Sequence, residues 1–207
     1  PNNFIDMLFA KQVEGVILLC SLLPFSKKLI EINKSRTLPI VIGLEPLSDD
    51  LNKLPSVHIN NHEAAQEATA YLLGLGHQDI VFVSGPKNSY VTRDRESGFL
   101  DAMKRAPAPP AGKRVLYSDL TVNGGVNAAN EIFSWPVLPT AIFCANDDMA
   151  LGVMSAAARH RIRIPEQLSV IGFDDMRYAA ISNPPLSTVS QPAHEIGVRA
   201  AKRLLRA

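Results

Sequence analysis

The chain has 207 residues, 46% apolar and 20% charged, with 21 Lys and Arg against 20 Asp and Glu for a net charge of +1. That length suits one ordinary domain or two small lobes with a real core, and the composition excludes a disordered chain. The charge balance excludes a strongly basic nucleic-acid surface, and no apolar run approaches the ~18 residues of a membrane span.

Predicted elements alternate along the chain. A helix over 3–11 precedes a strand over Gly15–Cys20, and a helix over 25–34 precedes a strand over Ile40–Leu44. Pro39 stands just before that strand, where its missing N–H is tolerated. A strand over Ser56–Ile59 leads to a helix over 62–75, and a strand over Ile80–Ser84 to a helix over 93–105. The strand Arg114–Tyr117, a helix over 123–134, the strand Ala141–Cys144 and a helix over 147–160 follow. The strand Ser169–Phe173 and a last helix over 193–206 complete the series. The strands are short and continuously apolar, which is the pattern of a sheet buried on both faces. Strand–helix–strand order with short turns implies an α/β fold with parallel strands and right-handed crossovers. Gly85-Pro86 and Asn183-Pro184-Pro185 interrupt the rhythm. Consecutive prolines force extended backbone, which suits a chain crossing between two lobes.

Ligands in open parallel sheets bind at the C-terminal ends of the strands. The residues following these strands are therefore the candidate site. They are Glu45, Asn60 with Asn61, Ser84, Asn146 and Asp174, with Arg93 and Arg95 near the start of the next helix after Ser84. Arg grips two adjacent oxygens, Asp accepts, and Asn does both, so the set suits a small polyhydroxylated ligand. Asp147 and Asp148 read instead as acids favouring a helix N-terminus. Cys20 and Cys144 read as small buried hydrophobes. His58 and His62 lack a metal-binding pattern and read as satisfied or surface side chains. The basic run Arg199 to Arg206 reads as the solvated face of a terminal helix. None of the nucleophile, phosphate-loop or dinucleotide motifs occurs, so no enzyme, cofactor or metal site is expected.

Several segments, in order, resemble the effector-binding core of the LacI/GalR family of bacterial transcription regulators. Val13-Glu14-Gly15-Val16-Ile17 is similar to VDGII. Leu73-Gly74-Leu75-Gly76-His77 with Ile80 is similar to LxxLGHxxI. Gly85-Pro86 and Arg95-Glu96-Ser97-Gly98-Phe99 resemble GP…RxxGF. Pro139 to Phe143 running into Asn146 to Gly152 resembles PTAIFxxNDxMAxG. Ile164-Pro165-Glu166 with Ser169 to Asp175 resembles IPxDxSVIGFDD, and Pro184 to Val189 resembles PPLTTV.

The resemblance implies two Rossmann-like lobes of the periplasmic-binding-protein type I kind, with a small-molecule effector, a sugar or related metabolite, between them. It implies one lobe from 1–84 plus 188–207 and another from 85–187, hinged near Ser84-Gly85-Pro86 and Ser187-Thr188-Val189. Arg95, Asn146 and Asp174 fall where family members contact effector; Glu45, Asn60 and Gln191 are the partners expected from the other lobe. Leu120 stands where an aromatic ring often stacks on the effector. Asn60-Asn61 replaces a usual Asp-Asn, and Ser187 replaces a usual Thr. A cytoplasmic homodimer is implied, with Leu151 and Met154 on the apolar helix as candidate pairing residues. Operator DNA would be reached only through a helix-turn-helix that this chain lacks, as it lacks the core's first strand and last strands. A periplasmic-type solute receptor of the same fold is the alternative.

Overall fold

A computed structural model describes residues 13–19, 39–44, 54–106 and 114–206. The helices expected over 3–11 and 25–34, together with Cys20 and Glu45, lie outside the described residues.

Two parallel sheets are present among the described residues. The first contains β1 (Val16–Leu18), β2 (Ile40–Gly43) and β3 (Ser56–Val57), in that order. The second contains β4 (Ile80–Ser84), β5 (Val115–Tyr117), β6 (Ala141–Cys144), β7 (Ser169–Asp174) and β8 (Ser187–Ser190). Its order is β5-β4-β6-β7-β8, every pairing parallel. The chain places β5 on one side of β4 and then returns to place β6 on the other. A topological switch point therefore lies between β4 and β6, where such sheets open a crevice at their C-terminal edge.

The helices are α1 (Asn61–Gly74), α2 (Tyr90–Met103), α3 (Val122–Phe133), α4 (Asp147–Arg159) and α5 (Ala193–Leu204). Side-chain oxygens of Asn60, Ser89, Thr121 and Asn146 cap the first four, accepting from the N–H of Glu63, Thr92, Gly124 and Met149. Each such cap is worth about 1 kcal/mol. The Ser89 cap starts α2 three residues before the expected boundary.

The core of the second sheet follows from its apolar runs. Ile80 to Val83 and Ala141 to Cys144 are completely buried. Phe82 stacks on Phe99 at 5.3 Å and meets Phe143 edge-on at 5.1 Å. Such pairs add about 0.5–1.5 kcal/mol beyond their burial.

The chain forms two compact units, residues 1–59 with 192–207, and residues 60–191. These boundaries differ from those expected. Residues 60–84 and 188–191 join 85–187, because β4 pairs with β5 and β6 while β8 pairs with β7. Both expected hinge segments thus lie within the second unit, and the chain passes between units at 59–60 and 191–192. The expected hinge Ser187-Thr188-Val189 lies in the edge strand β8, a place where the preceding prolines cost no ladder hydrogen bond.

Candidate functional site

Arg95 is the centre of the second unit's C-terminal edge. It lies on α2 with a side chain only 6% exposed. Its Nε donates to Asn61 Oδ1 at 2.9 Å, and its Nη1 donates to the Ala145 carbonyl and, at 3.3 Å, to Asp174 Oδ1. The flat face of the guanidinium lies 3.5 Å from the centre of the Phe173 ring. Three surroundings therefore fix one buried cation: the start of α1, the residue after β6 and the end of β7. Burying a charge is expensive unless it is paired and hydrogen-bonded, and here it is both.

The approach of α1 to α2 makes the Asn61 contact possible. A Cβ at Gly98 would stand 2.1 Å from the His62 carbonyl oxygen, so only glycine allows the two helices this close. Asn61 is itself buried, and its Nδ2 makes no hydrogen bond. The amide orientation is fixed by chemistry, since the Arg Nε can only donate.

Asp174 ends β7 with φ +112°, and Asp175 follows at φ +54°. Neither conformation suits an L-residue, and each costs of the order of 1–3 kcal/mol unless its surroundings hold it. Gln191 Nε2 and Arg95 Nη1 both donate to Asp174 Oδ1, while Asp175 N donates to Thr188 Oγ1 at 3.3 Å. Burial pushes the Asp174 carboxyl above its ordinary pKa, against the opposing pull of Arg95 and Gln191. Its Oδ2 accepts no hydrogen bond among the described residues and remains available to a hydroxyl.

The structure therefore brings Arg95, Asp174 and Gln191 together. It gives Asn146 and Asn60 more local tasks. Asn146 Oδ1 caps α4, and its Nδ2 donates to the Leu120 carbonyl at 2.9 Å. Leu120 turns back at φ +66°, and its side chain covers Gly85 just beyond β4. Asn60 is exposed and exchanges two hydrogen bonds with Glu63. Ser84 donates to Glu96 Oε2 at 3.3 Å, and Tyr117 donates to Glu96 Oε1 at 2.8 Å. Arg93 is exposed over the Tyr90 ring, away from the Arg95 cluster's hydrogen bonds.

Asp147 and Asp148 do more than favour a helix end. Asp147 is completely buried and accepts from Thr188 Oγ1 at 2.6 Å and Met176 N at 2.8 Å, tying α4 to β8 and to the loop after β7. Asp148 accepts from the Tyr178 hydroxyl. Cys144 is buried, and burial pushes its thiol far from ionisation. His62 contacts Asp101 at 3.0 Å, and no group of three His, Cys, Asp or Glu with metal-binding geometry occurs among the described residues. Sequence reasoning did not single out Phe173 as the platform under Arg95 or Asn61 as its holder. Neither role has a local signal, since the contacts join segments far apart in the chain.

A doubly wound parallel sheet with buried, fixed polar groups at its switch point defines a small-ligand-binding α/β domain. The chain belongs to the Periplasmic binding protein-like domain family, which matches residues 69–207. It is 37% identical over 204 residues to the HTH-type transcriptional repressor CytR of Escherichia coli K12, covering 99% of this chain and 59% of that protein. It is 36% identical over 206 residues to the HTH-type transcriptional repressor PurR of Vibrio vulnificus, covering 99% of this chain and 60% of that protein. A crystal structure of a regulatory protein of LacI family from Chloroflexus aggregans superposes with a TM-score of 0.86 at 30% identity, covering 99% of this chain and 72% of that one. The LacI/GalR resemblance and the parallel α/β fold expected from the motifs are both met. The chain spans about 60% of the length of the two repressors it matches.

Proposed function

We propose that this chain is the effector-sensing core of a LacI-type transcription repressor. Its ligand is a small polar molecule, a sugar or related metabolite, held at the C-terminal edge of the five-stranded sheet. Arg95, Asp174 and Gln191 contact it; Asn146 and Leu120 shape the adjoining wall; Asn61 and Phe173 fix Arg95. Operator DNA is bound by a helix-turn-helix segment outside these 207 residues, and effector binding modulates that contact in the cytoplasm. The core performs no catalysis. The named relatives are repressors, which favours this reading over a solute receptor.

One observation carries the proposal. A buried arginine is fixed from three surroundings beside an aspartate held at φ +112°. A fold retains such strain where the geometry serves a function. Calorimetry against a metabolite collection tests it. Arg95→Ala should cost about 2–4 kcal/mol of affinity for whichever compound binds, because a charge-assisted contact is lost and its partner is stranded. A bound metabolite whose affinity is the same in the wild type, Arg95→Ala and Asp174→Ala would remove the site from this edge.

A further inference from the structure

The geometry points to an uncharged ligand at the Arg95 edge: the edge excludes phosphate and carboxylate groups. This inference rests on the effector reading and narrows it to a chemical class.

Parallel α/β folds carry a standard device for anions, the free N–H groups of helix N-termini at the C-terminal edge of the sheet. Here that device is blocked from within. The N-terminus of α4 holds its own Asn146 cap and two first-turn carboxylates, Asp147 and Asp148. At α3, Asp119 accepts from both Thr121 N and Thr121 Oγ1 beside the cap. At α1, Asn60 caps and Glu63 stands in the first turn. α2 and α3 both start with a neutral hydroxyl cap and no acid in the first turn, and they differ in the Asp119 carboxylate beside the α3 cap. Three of four helix starts are therefore already neutralised by the protein's own carboxylates.

The buried cation of this edge is neutralised as well. Arg95 is bound to Asp174, whose side chain is 28% exposed. An incoming anion meets that carboxylate and must displace it from the guanidinium. Asp175 follows on the exposed side, and Asp147 lies close enough to act electrostatically on Asp174. Arg177 is exposed on the same loop and makes no ion pair with these acids. Three acids, Asp174, Asp175 and Asp147, thus stand against Arg95 and Arg177. A hydroxyl suits this edge because it donates to Asp174 Oδ2 and accepts from Arg95 or Gln191; a fully ionised phosphate ester or carboxylate has no proton to donate. A surface groove of about 300 Å³ lies elsewhere on α2, where Lys87, Arg93 and Lys104 stand with Glu96 and Asp101 and offer the comparison site for an adventitious anion.

Sulfate, which stays dianionic across the working pH range, is the probe. Amide spectra of the 207-residue protein are titrated with sodium sulfate against sodium chloride at matched ionic strength. In the wild type the Gly172 to Asp175 amides should show no saturable shift. Asp174→Asn and Asp175→Asn should each gain sulfate affinity at these amides, about ten-fold or more for Asp174→Asn. Asn and Asp share the same backbone preferences at positive φ, so neither variant adds strain to the wild-type conformation. Saturable sulfate binding at these amides in the wild type overturns the inference, and so does failure of both variants to gain. Binding confined to Lys87 and Arg93 supports it. Uncharged sugars and their phosphate esters are then compared. An ester that binds through Arg95 when its parent does not overturns the inference but leaves the effector reading standing. If no sugar binds, that reading loses support, while the sulfate result still decides the charge question.

Discussion

Asp147 shows how a single residue here combines cost and purpose. Its carboxylate is completely buried, yet it joins α4 to β8 through Thr188 and to the post-β7 loop through Met176. Burial raises its pKa, with the bonds to Thr188 and Met176 pulling the other way. A raised folded-state value means that the folded protein holds the proton more tightly than the unfolded chain does. The resulting stabilisation is complete below the unfolded value and is lost as pH rises through the folded one. Asn at this position does not titrate. The stability of the wild type relative to Asp147→Asn should therefore rise as pH falls from about 7 toward about 4. Thermal melts of both proteins across that range provide the check. A difference that stays flat or shrinks on acidification would contradict the raised value.

At the scale of elements, close helix pairs set the site. Gly98 lets α2 approach α1, and Gly152 does the same for α4 against α3, where a Cβ would lie 2.1 Å from the Val122 carbonyl oxygen. Alanine in a helix interior normally gains about 0.5–1 kcal/mol over glycine. Here the clash outweighs that gain, because the contacted atom is backbone and the helices must part. Gly152→Ala should destabilise the protein by about 1–3 kcal/mol, as overpacking does. Urea unfolding followed by the fluorescence of Trp135 would measure it; a stabilised variant would show that the helices separate freely. The same packing removes Met154 from the surface. It is 8% exposed, and Val153 beside it is completely buried. The apolar character of α4 is largely spent within its own unit, leaving half-buried Leu151 as the candidate for contact with a second copy.

At the scale of the whole molecule, the intact regulator is expected to be a homodimer. Sedimentation at micromolar concentration should give a dimer, weakened at least about ten-fold by Leu151→Lys, since a buried unpaired charge costs more than 1.4 kcal/mol. A monomer under those conditions would dispose of the pairing. The amino-acid sequence alone determined the alternation of strands and helices, the parallel sheet and the family, because strands buried on both faces are written as local apolar runs and because motifs are read in order. It also placed Asp174 at a strand end and Arg95 near the start of the helix that follows Ser84. Only the tertiary structure decided what holds them. Asn61, Ala145 and Asp174 reach Arg95 from 34, 50 and 79 positions away, and no periodicity connects such residues. The tertiary structure likewise made helix caps of Asn60 and Asn146, which by position alone were equally suited to a ligand. It moved the unit boundaries to 59–60 and 191–192, because strand pairing, not the placement of prolines, assigns β4 and β8 to their sheet. A hydrogen bond between distant segments belongs to the assembled fold, and the chain carries no local trace of it.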